Sequence, residues 1–250
     1  MIEITSVNND LVKETVKLQQ KKYRNEKGLF LLEGYKCIFE AVNSGLKIAK
    51  IFVSKEKLNE YNFVKSEIVS TNQAVLKKIS TTDSAPEAVA VAYQLKNNVN
   101  NLVNSKRVVL LENISDAGNL GTIIRTAAAF KIESIVLYGG TVDIYNPKCV
   151  RSTVGNLWKV NIVHIDSIKE LEKYFNDFER VATLPKTNNS VWFNDWKPKT
   201  KVLMMFGAES SGLSDELKDF ANQNLTIEMN KDVESLNLSI SAGIVMYKML

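Results

Sequence analysis

Short apolar runs of strand length alternate with stretches of helical period along the whole chain. In the first part, Asn9 to Gln20 reads as a helix and LFLLEG as a short strand. Tyr35 to Val42 reads as a helix that stops at Asn43-Ser44-Gly45, a C-cap signal. IAKIFVS then reads as a strand, Asn72 to Ile79 as a helix, and EAVAVAYQL as a strand. Residues 1–96 are thus expected to form a small α/β domain. KNNVNNLVNSK is rich in Asn, so residues 97–106 read as an exposed linker. Residues 107–250 alternate more regularly. RVVLLEN, ESIVLY, KVNIVHI, RVATL, KVLMMFG and LTIEM read as strands. NLGTIIRTAAAF, Ser167 to Phe175, Ser214 to Ala221 and the C-terminal segment read as helices. This pattern predicts a mostly parallel sheet with helices on both faces, whose ligands bind beyond the carboxyl ends of the strands.

The loops after those strands carry the chemistry. After LLEN comes ISDAGNLGTIIRTAAAF, where Gly118 and Gly121 read as a tight turn and Asn119 as a helix cap. Arg125 stands among small apolar residues of that helix. It either faces solvent or projects toward a substrate phosphate or hydroxyl, where a planar guanidinium binds well; spacing alone favours solvent. After VLMMF comes GAESSGLSDEL. Gly207 and Gly212 nearly match a P-loop, but Leu213 stands where that motif has lysine, which disfavours a nucleoside triphosphatase. Ser214 reads as an N-cap, and Glu209 is the sole ionisable residue between the two glycines. After LTIEM comes MNKDVESLNLSISAG. Its alternation over Ser235 to Ser241 imitates a strand, yet it runs directly into a helical segment. No G-x-G-x-x-G opens the sheet. Three loops rich in Gly, Ser and Asn suit a neutral or zwitterionic adenosine derivative better than a triphosphate.

Composition narrows the class. Hydrophobic content is 45% and charged content 24%, an ordinary globular balance. No apolar run approaches the roughly 18–20 residues of a membrane helix, and MIEITSVNND has no signal core, so a cytoplasmic protein is expected. Cys37 and Cys149 form no CxxC pair, and neither a disulfide framework nor a metal site is expected. His164 stands alone and reads as a packing or surface residue.

The net charge of +4 is weak evidence for an anionic partner. Two segments sharpen it. KLQQKKYRNEKG carries Lys17, Lys21, Lys22, Arg24 and Lys27 around Tyr23, a combination that fits either RNA contact or a solvated face. DIYNPKCVRSTVGNLWKV sets Lys148 and Arg151 on one helical face near Tyr145 and Trp158, which fits a nucleic-acid grip or a solvated basic turn.

Taken in order, the loops resemble the motifs of the SpoU (TrmH-like) family of RNA ribose 2′-O-methyltransferases. ISDAGNLGTIIRTA is similar to N-x-x-D-P-x-N-x-G-x-x-x-R-T-A, MMFGAESSGL to G-x-E-x-x-G, and IEMNKDVESLNLSISAG to I-P-M…S-L-N-x-S-x-A. YNPKCVRSTVG matches a further family stretch, and ITSVNNDLVK, KYRNEKGLFLLEG and EAVAVA resemble its ribosomal-protein-like substrate-binding domain. Ala117 and Glu228 stand where the family has proline, and PEAVAVA lacks a usual Q-G. The resemblance implies a deep trefoil knot at the carboxyl end of the sheet, a rarity by general topology. It implies S-adenosylmethionine held by Leu184, Gly207, Ile227, Met229 and Leu236. It also implies a homodimer through the knot, with the site completed across the interface.

A ribose 2′-hydroxyl must lose its proton before it attacks an activated methyl sulfonium. The resemblance gives Arg125 that role, either as base, which demands an unusual setting, or as the group that orients phosphate and hydroxyl. Asn119, Glu209, Ser235 and Asn237 would shape the site, and Lys21, Lys22, Arg24, Lys148 and Arg151 would contact RNA. Large-subunit ribosomal RNA is the favoured substrate. The alternatives are transfer RNA and a non-catalytic RNA-binding protein on the same fold.

Overall fold

Continuous Val, Ile and Leu runs build two sheets in the computed structural model, which describes residues 2–250. The first part contains β1 (Ile2–Ile4), α1 (Asp10–Lys17), α2 (Lys21–Lys27), β2 (Leu29–Glu33), α3 (Tyr35–Asn43), β3 (Ile48–Ser54), β4 (Glu67–Thr71), α4 (Gln73–Ile79) and β5 (Ala88–Tyr93). The second contains β6 (Arg107–Glu112), α5 (Ala117–Ala129), β7 (Ser134–Tyr138), α6 (Pro147–Ser152), β8 (Asn161–Ile165), α7 (Ile168–Phe175), β9 (Glu179–Thr183), β10 (Ser190–Trp192), β11 (Val202–Phe206), α8 (Asp215–Phe220), β12 (Gln223–Thr226) and α9 (Leu238–Lys248).

The chain forms two compact units, Met1–Lys96 with Asp143–Trp158, and Asn97–Val142 with Lys159–Leu250. The first unit holds a mixed sheet in the order β1-β4-β3-β5-β2, parallel from β1 to β3 and antiparallel beyond. Phe52, Val69, Val89 and Leu31 fill the core between that sheet and α1 and α4. Asn9 and Asn72 cap those helices through their side chains, on the amides of Leu11 and Val75.

The segment Asp143–Trp158 belongs to this unit, not to the second domain in which a linear division at residue 107 places it. Its anchors are physical. Asp143 is ion-paired with the buried Arg24. The Tyr145 ring lies 4.7 Å from that of Phe30, and its hydroxyl accepts from the Leu95 amide at 2.8 Å. The expected linker is also different. Val99–Asn104 is a 3-10 turn whose Leu102 is fully buried in the second unit's core, and Ser105 meets Ser134 hydroxyl to hydroxyl at 2.9 Å.

The second unit holds a seven-stranded sheet in the order β10-β12-β9-β11-β6-β7-β8, parallel throughout. β6 and β11 lie at its centre, and Val108 to Leu111 and Leu203 to Met205 are wholly buried, as strands covered on both faces must be. Every strand in it points the same way, so the loops after β6, β9, β11 and β12 gather at one edge. α9 is apolar all round and packs on α5.

Candidate active site

α5 begins at Ala117, two residues earlier than the sequence pattern indicates. Asp116 is the N-cap and accepts the Asn119 amide at 2.8 Å. Ala117 fills the first helical position, where proline is favoured because its missing N–H costs nothing there. Two expectations are corrected. Gly118 and Gly121 lie in the first turns of the helix, not in a loop, and Asn119 does not cap. With Asp116 serving the helix amides, the Asn119 side chain is released to the site.

That side chain joins α5 to two loops. Its Nδ2 donates to Glu209 Oε1, in the loop after β11. Its Oδ1 accepts from Asn237 Nδ2 at 3.1 Å, in the loop after β12. Asn237 is also the N-cap of α9, with Oδ1 accepting the amides of Ser239 and Ile240. The alternating stretch Ser235 to Ser241 is therefore a loop-to-helix junction, not a strand.

The loop after β11 closes on itself. Ala208 and Gly212 exchange backbone hydrogen bonds of 3.1 and 2.8 Å. A Cβ on Gly207 would lie 2.0 Å from the Gly212 carbonyl carbon, which fixes glycine there. Ser214 caps α8 as its sequence indicates, while its own amide donates to the buried Glu112 carboxylate at 2.7 Å.

Behind this loop a cavity of about 540 Å³ opens at the carboxyl edge of the sheet. Leu184, Gly207, Ile227, Met229 and Leu236, the five residues expected to hold a cofactor, all line it, and so do Glu209, Ser235 and Asn237. Asn119 reaches the cavity through its hydrogen bonds to two of these residues. Arg125 does not reach it. It lies six residues, or about 9 Å of helix rise, further along α5. Its side chain is exposed, with no hydrogen bond or ion pair among the described residues.

Sequence reasoning missed other wall residues. Trp192 lines the cavity from the edge strand β10, with Lys186 Nζ 4.2 Å from its ring centroid. The alternation SVW inside a polar stretch was the available signal. Thr183 and Thr226, at strand ends, turn their hydroxyls to the carbonyls of Met205 and Leu184. Glu228, at the family's proline position, accepts from Asn194 Nδ2 at 2.8 Å.

The basic residues divide. Lys21, Lys22 and Lys148 are exposed. Arg24 is only 2% exposed. Its Nε and Nη2 donate to Asp143 Oδ2 at 2.9 and 2.6 Å, and Nη1 donates to the carbonyls of Leu18 and Gln19. Four of its five N–H donors are taken and the side chain is buried, so its expected role is corrected to a structural one. Arg151 is half-buried and donates through Nη1 to Glu33 and Thr81, so the protein holds one arm of its guanidinium. Tyr145 is core, as above. His164 sits on β8 with Nδ1 3.1 Å from Asp166, half-exposed.

The geometry defines an α/β protein with a nucleoside-sized cavity walled by glycine- and asparagine-rich loops. The chain belongs to the SpoU rRNA methylase family, which it matches over residues 106–247. Residues 9–90 match the MRM3-like substrate binding domain. It is 32% identical to an uncharacterized tRNA/rRNA methyltransferase of Synechocystis, over 98% of this chain and 92% of that protein. It is 26% identical to a Bacillus subtilis 23S rRNA (guanosine(2553)-2′-O)-methyltransferase, over 99% and 98%. Among solved structures, an AdoMet-bound rRNA methyltransferase from Sinorhizobium meliloti superposes with a TM-score of 0.87 at 28% identity, covering 98% of this chain and 96% of that one.

Proposed function

We propose that the protein is an S-adenosylmethionine-dependent RNA ribose 2′-O-methyltransferase acting on large-subunit ribosomal RNA in the cytoplasm. The hydrogen-bonded chain Glu209–Asn119–Asn237 at the mouth of the cavity carries this reading. It ties all three family motifs to one wall of a nucleoside-sized space.

The walls fit the cofactor. Leu184, Ile227 and Leu236 offer apolar surface to an adenosine, and of the two lysines in the wall, Lys186 is held by the Ser190 carbonyl and the Trp192 ring. When bound, the cofactor supplies an activated methyl group. The chain's own residues do the rest. Gly207 and its self-closed loop keep one wall low enough for a ligand to approach the backbone. Asn119, Asn237, Ser235 and Glu209 fix the ribose edge without burying a net charge cluster, which would be costly. Arg125, exposed and with no carboxylate beside it, holds the substrate phosphate and orients the 2′-hydroxyl.

Arg125 lies outside its own chain's cavity, so we place it in the site of a second copy. α9 supports a dimer: Ile240 (54% exposed) and Tyr247 (65%) stand out from it beside α5, and Leu250 (52%) follows its end. A knot fits the strand order. The chain leaving β12 lies beyond β9 and must cross back past the ends of β9 and β11 to set α9 on α5. The first unit is the RNA-recognition domain.

Labelled cofactor, purified protein and ribosomal RNA test the reading, with 2′-O-methyl sites mapped in treated and untreated RNA. Methylation of a single large-subunit ribose is expected. Label in transfer RNA alone would move the substrate, and cofactor binding without transfer to any RNA would overturn the activity.

A further inference from the structure

Within the first unit a second cavity, of about 780 Å³, opens at the end of the sheet where β5 finishes and β2 and β3 begin. Lys27, Lys47 and Lys96 line it, and no carboxylate does. All three are exposed, and none has a side-chain hydrogen bond or ion pair among the described residues. Tyr93 brings a half-exposed ring to the same wall, 50% accessible at the last residue of β5. Trp158 supplies a second ring, and its indole N–H is buried with no acceptor. A buried donor left without a partner is uncommon, because its desolvation goes uncompensated.

Three unpaired cations and two aromatic side chains line one concave surface, and an orphan donor is buried in its wall. A solvated basic face explains the lysines but not the rings or the indole. Phosphates need point charges, and unstacked bases need flat apolar surfaces with a donor for their carbonyl edge. We propose that this cavity takes an unpaired nucleotide of the RNA substrate, with a base between Tyr93 and Trp158 and flanking phosphates on Lys27, Lys47 and Lys96. The proposal rests on the reading of the protein as an RNA-modifying enzyme. It assigns recognition to residues other than Arg24, whose guanidinium is buried and already engaged.

The test uses the full-length protein and a fluorescent single-stranded oligouridylate, without cofactor. Replacing the three lysines by alanine should flatten the slope of log affinity against log salt by about 2, since each single-strand phosphate contact contributes about 0.7. Tyr93→Ala should weaken binding roughly five- to hundred-fold. Trp158→Phe keeps the ring and removes the donor, and should weaken binding less than Tyr93→Ala. Crosslinking with 4-thiouridine in the probe should label Tyr93 or Trp158. S-adenosylmethionine binding by calorimetry should be unchanged in every variant, which separates this site from the methyl-transfer site. If wild type fails to bind the cofactor but crosslinks at Tyr93, the proposed activity falls and the pocket stands. An unchanged salt slope in the lysine variant would overturn the pocket. So would equal competition by polyglutamate, which would reveal a general polyanion surface.

Discussion

Asn237 donates Nδ2–H to Asn119 Oδ1 at 3.1 Å while its own Oδ1 accepts the Ser239 amide at 2.9 Å and the Ile240 amide at 3.3 Å. One side chain thus starts α9 and fixes the loop after β12 to α5. The two duties separate by substitution. Asn237→Ala loses both and should cost about 1 kcal/mol of stability, the usual worth of an N-cap. Asn237→Asp keeps the cap acceptor and should stay within about 0.5 kcal/mol of wild type. It also sets a carboxylate against Asn119 Oδ1 and Glu209, so methyl transfer should fall at least tenfold in both variants. Thermal denaturation and labelled-methyl transfer read the two effects. A fully active Asn237→Asp would sever the Asn119 contact from the chemistry.

Arg24→Ala should act on stability. It leaves the Asp143 carboxylate, whose side chain is 9% exposed, without its partner. Removing one member of a buried pair costs about 3–5 kcal/mol. Lys22→Ala, at an exposed position two residues away, should change stability by less than about 0.5 kcal/mol. Urea denaturation of both variants decides. Equal stabilities would mean that Asp143 readily finds water or another donor.

What the chain reveals by its pattern and what it conceals follow from the reach of each interaction. The central strands of the second sheet were legible because burial on both faces writes unbroken apolar runs such as VVLL and VLMMF. β1 and β10, with three residues each, carry too little pattern to stand out. Arg24 read as a surface cation because its partner Asp143 lies 119 residues away. Asn119 read as a cap because D-x-x-N offers two capping residues, and only the helix geometry shows that Asp116 takes the duty. The five residues proposed to hold the cofactor were named only through the family motifs, since nothing local in Leu184 or Ile227 marks a ligand surface.

Alkaline pH should destabilise the fold. Burial pushes the Cys37 thiol from its ordinary 9.0 up to about 12. Burial, then the hydrogen bond to Glu216, pushes the Tyr138 phenol from 10.0 up to about 12. Both groups are favoured neutral in the folded state. Their contribution is fully present below their ordinary values and is lost as pH rises from there through about 12. Melting temperature should therefore decline progressively above about pH 9. Iodoacetamide near neutral pH should label the buried Cys149 only as fast as the protein opens, and the partly buried Cys37 slowly because little of it is thiolate. Rapid labelling of Cys149 in the native protein would contradict its burial.

The placement of Arg125 outside its own cavity makes a prediction about subunits. Arg125→Ala should bind S-adenosylmethionine normally and abolish methyl transfer, with stability within about 0.5 kcal/mol because the side chain is exposed. Gly207→Ala forces a Cβ into the Gly212 backbone and should lose cofactor binding while keeping Arg125. Each variant alone is expected to be inactive. If a dimer brings Arg125 of one copy to the cavity of the other, mixing and refolding the two should form hybrids with one complete site. Random pairing makes about half the dimers hybrid, so about a quarter of wild-type activity should return. If each chain used its own Arg125, no pairing would complete a site and the mixture would stay inactive. The recovered fraction, measured against the mixing ratio, therefore reports directly on whether the reaction centre is shared between subunits.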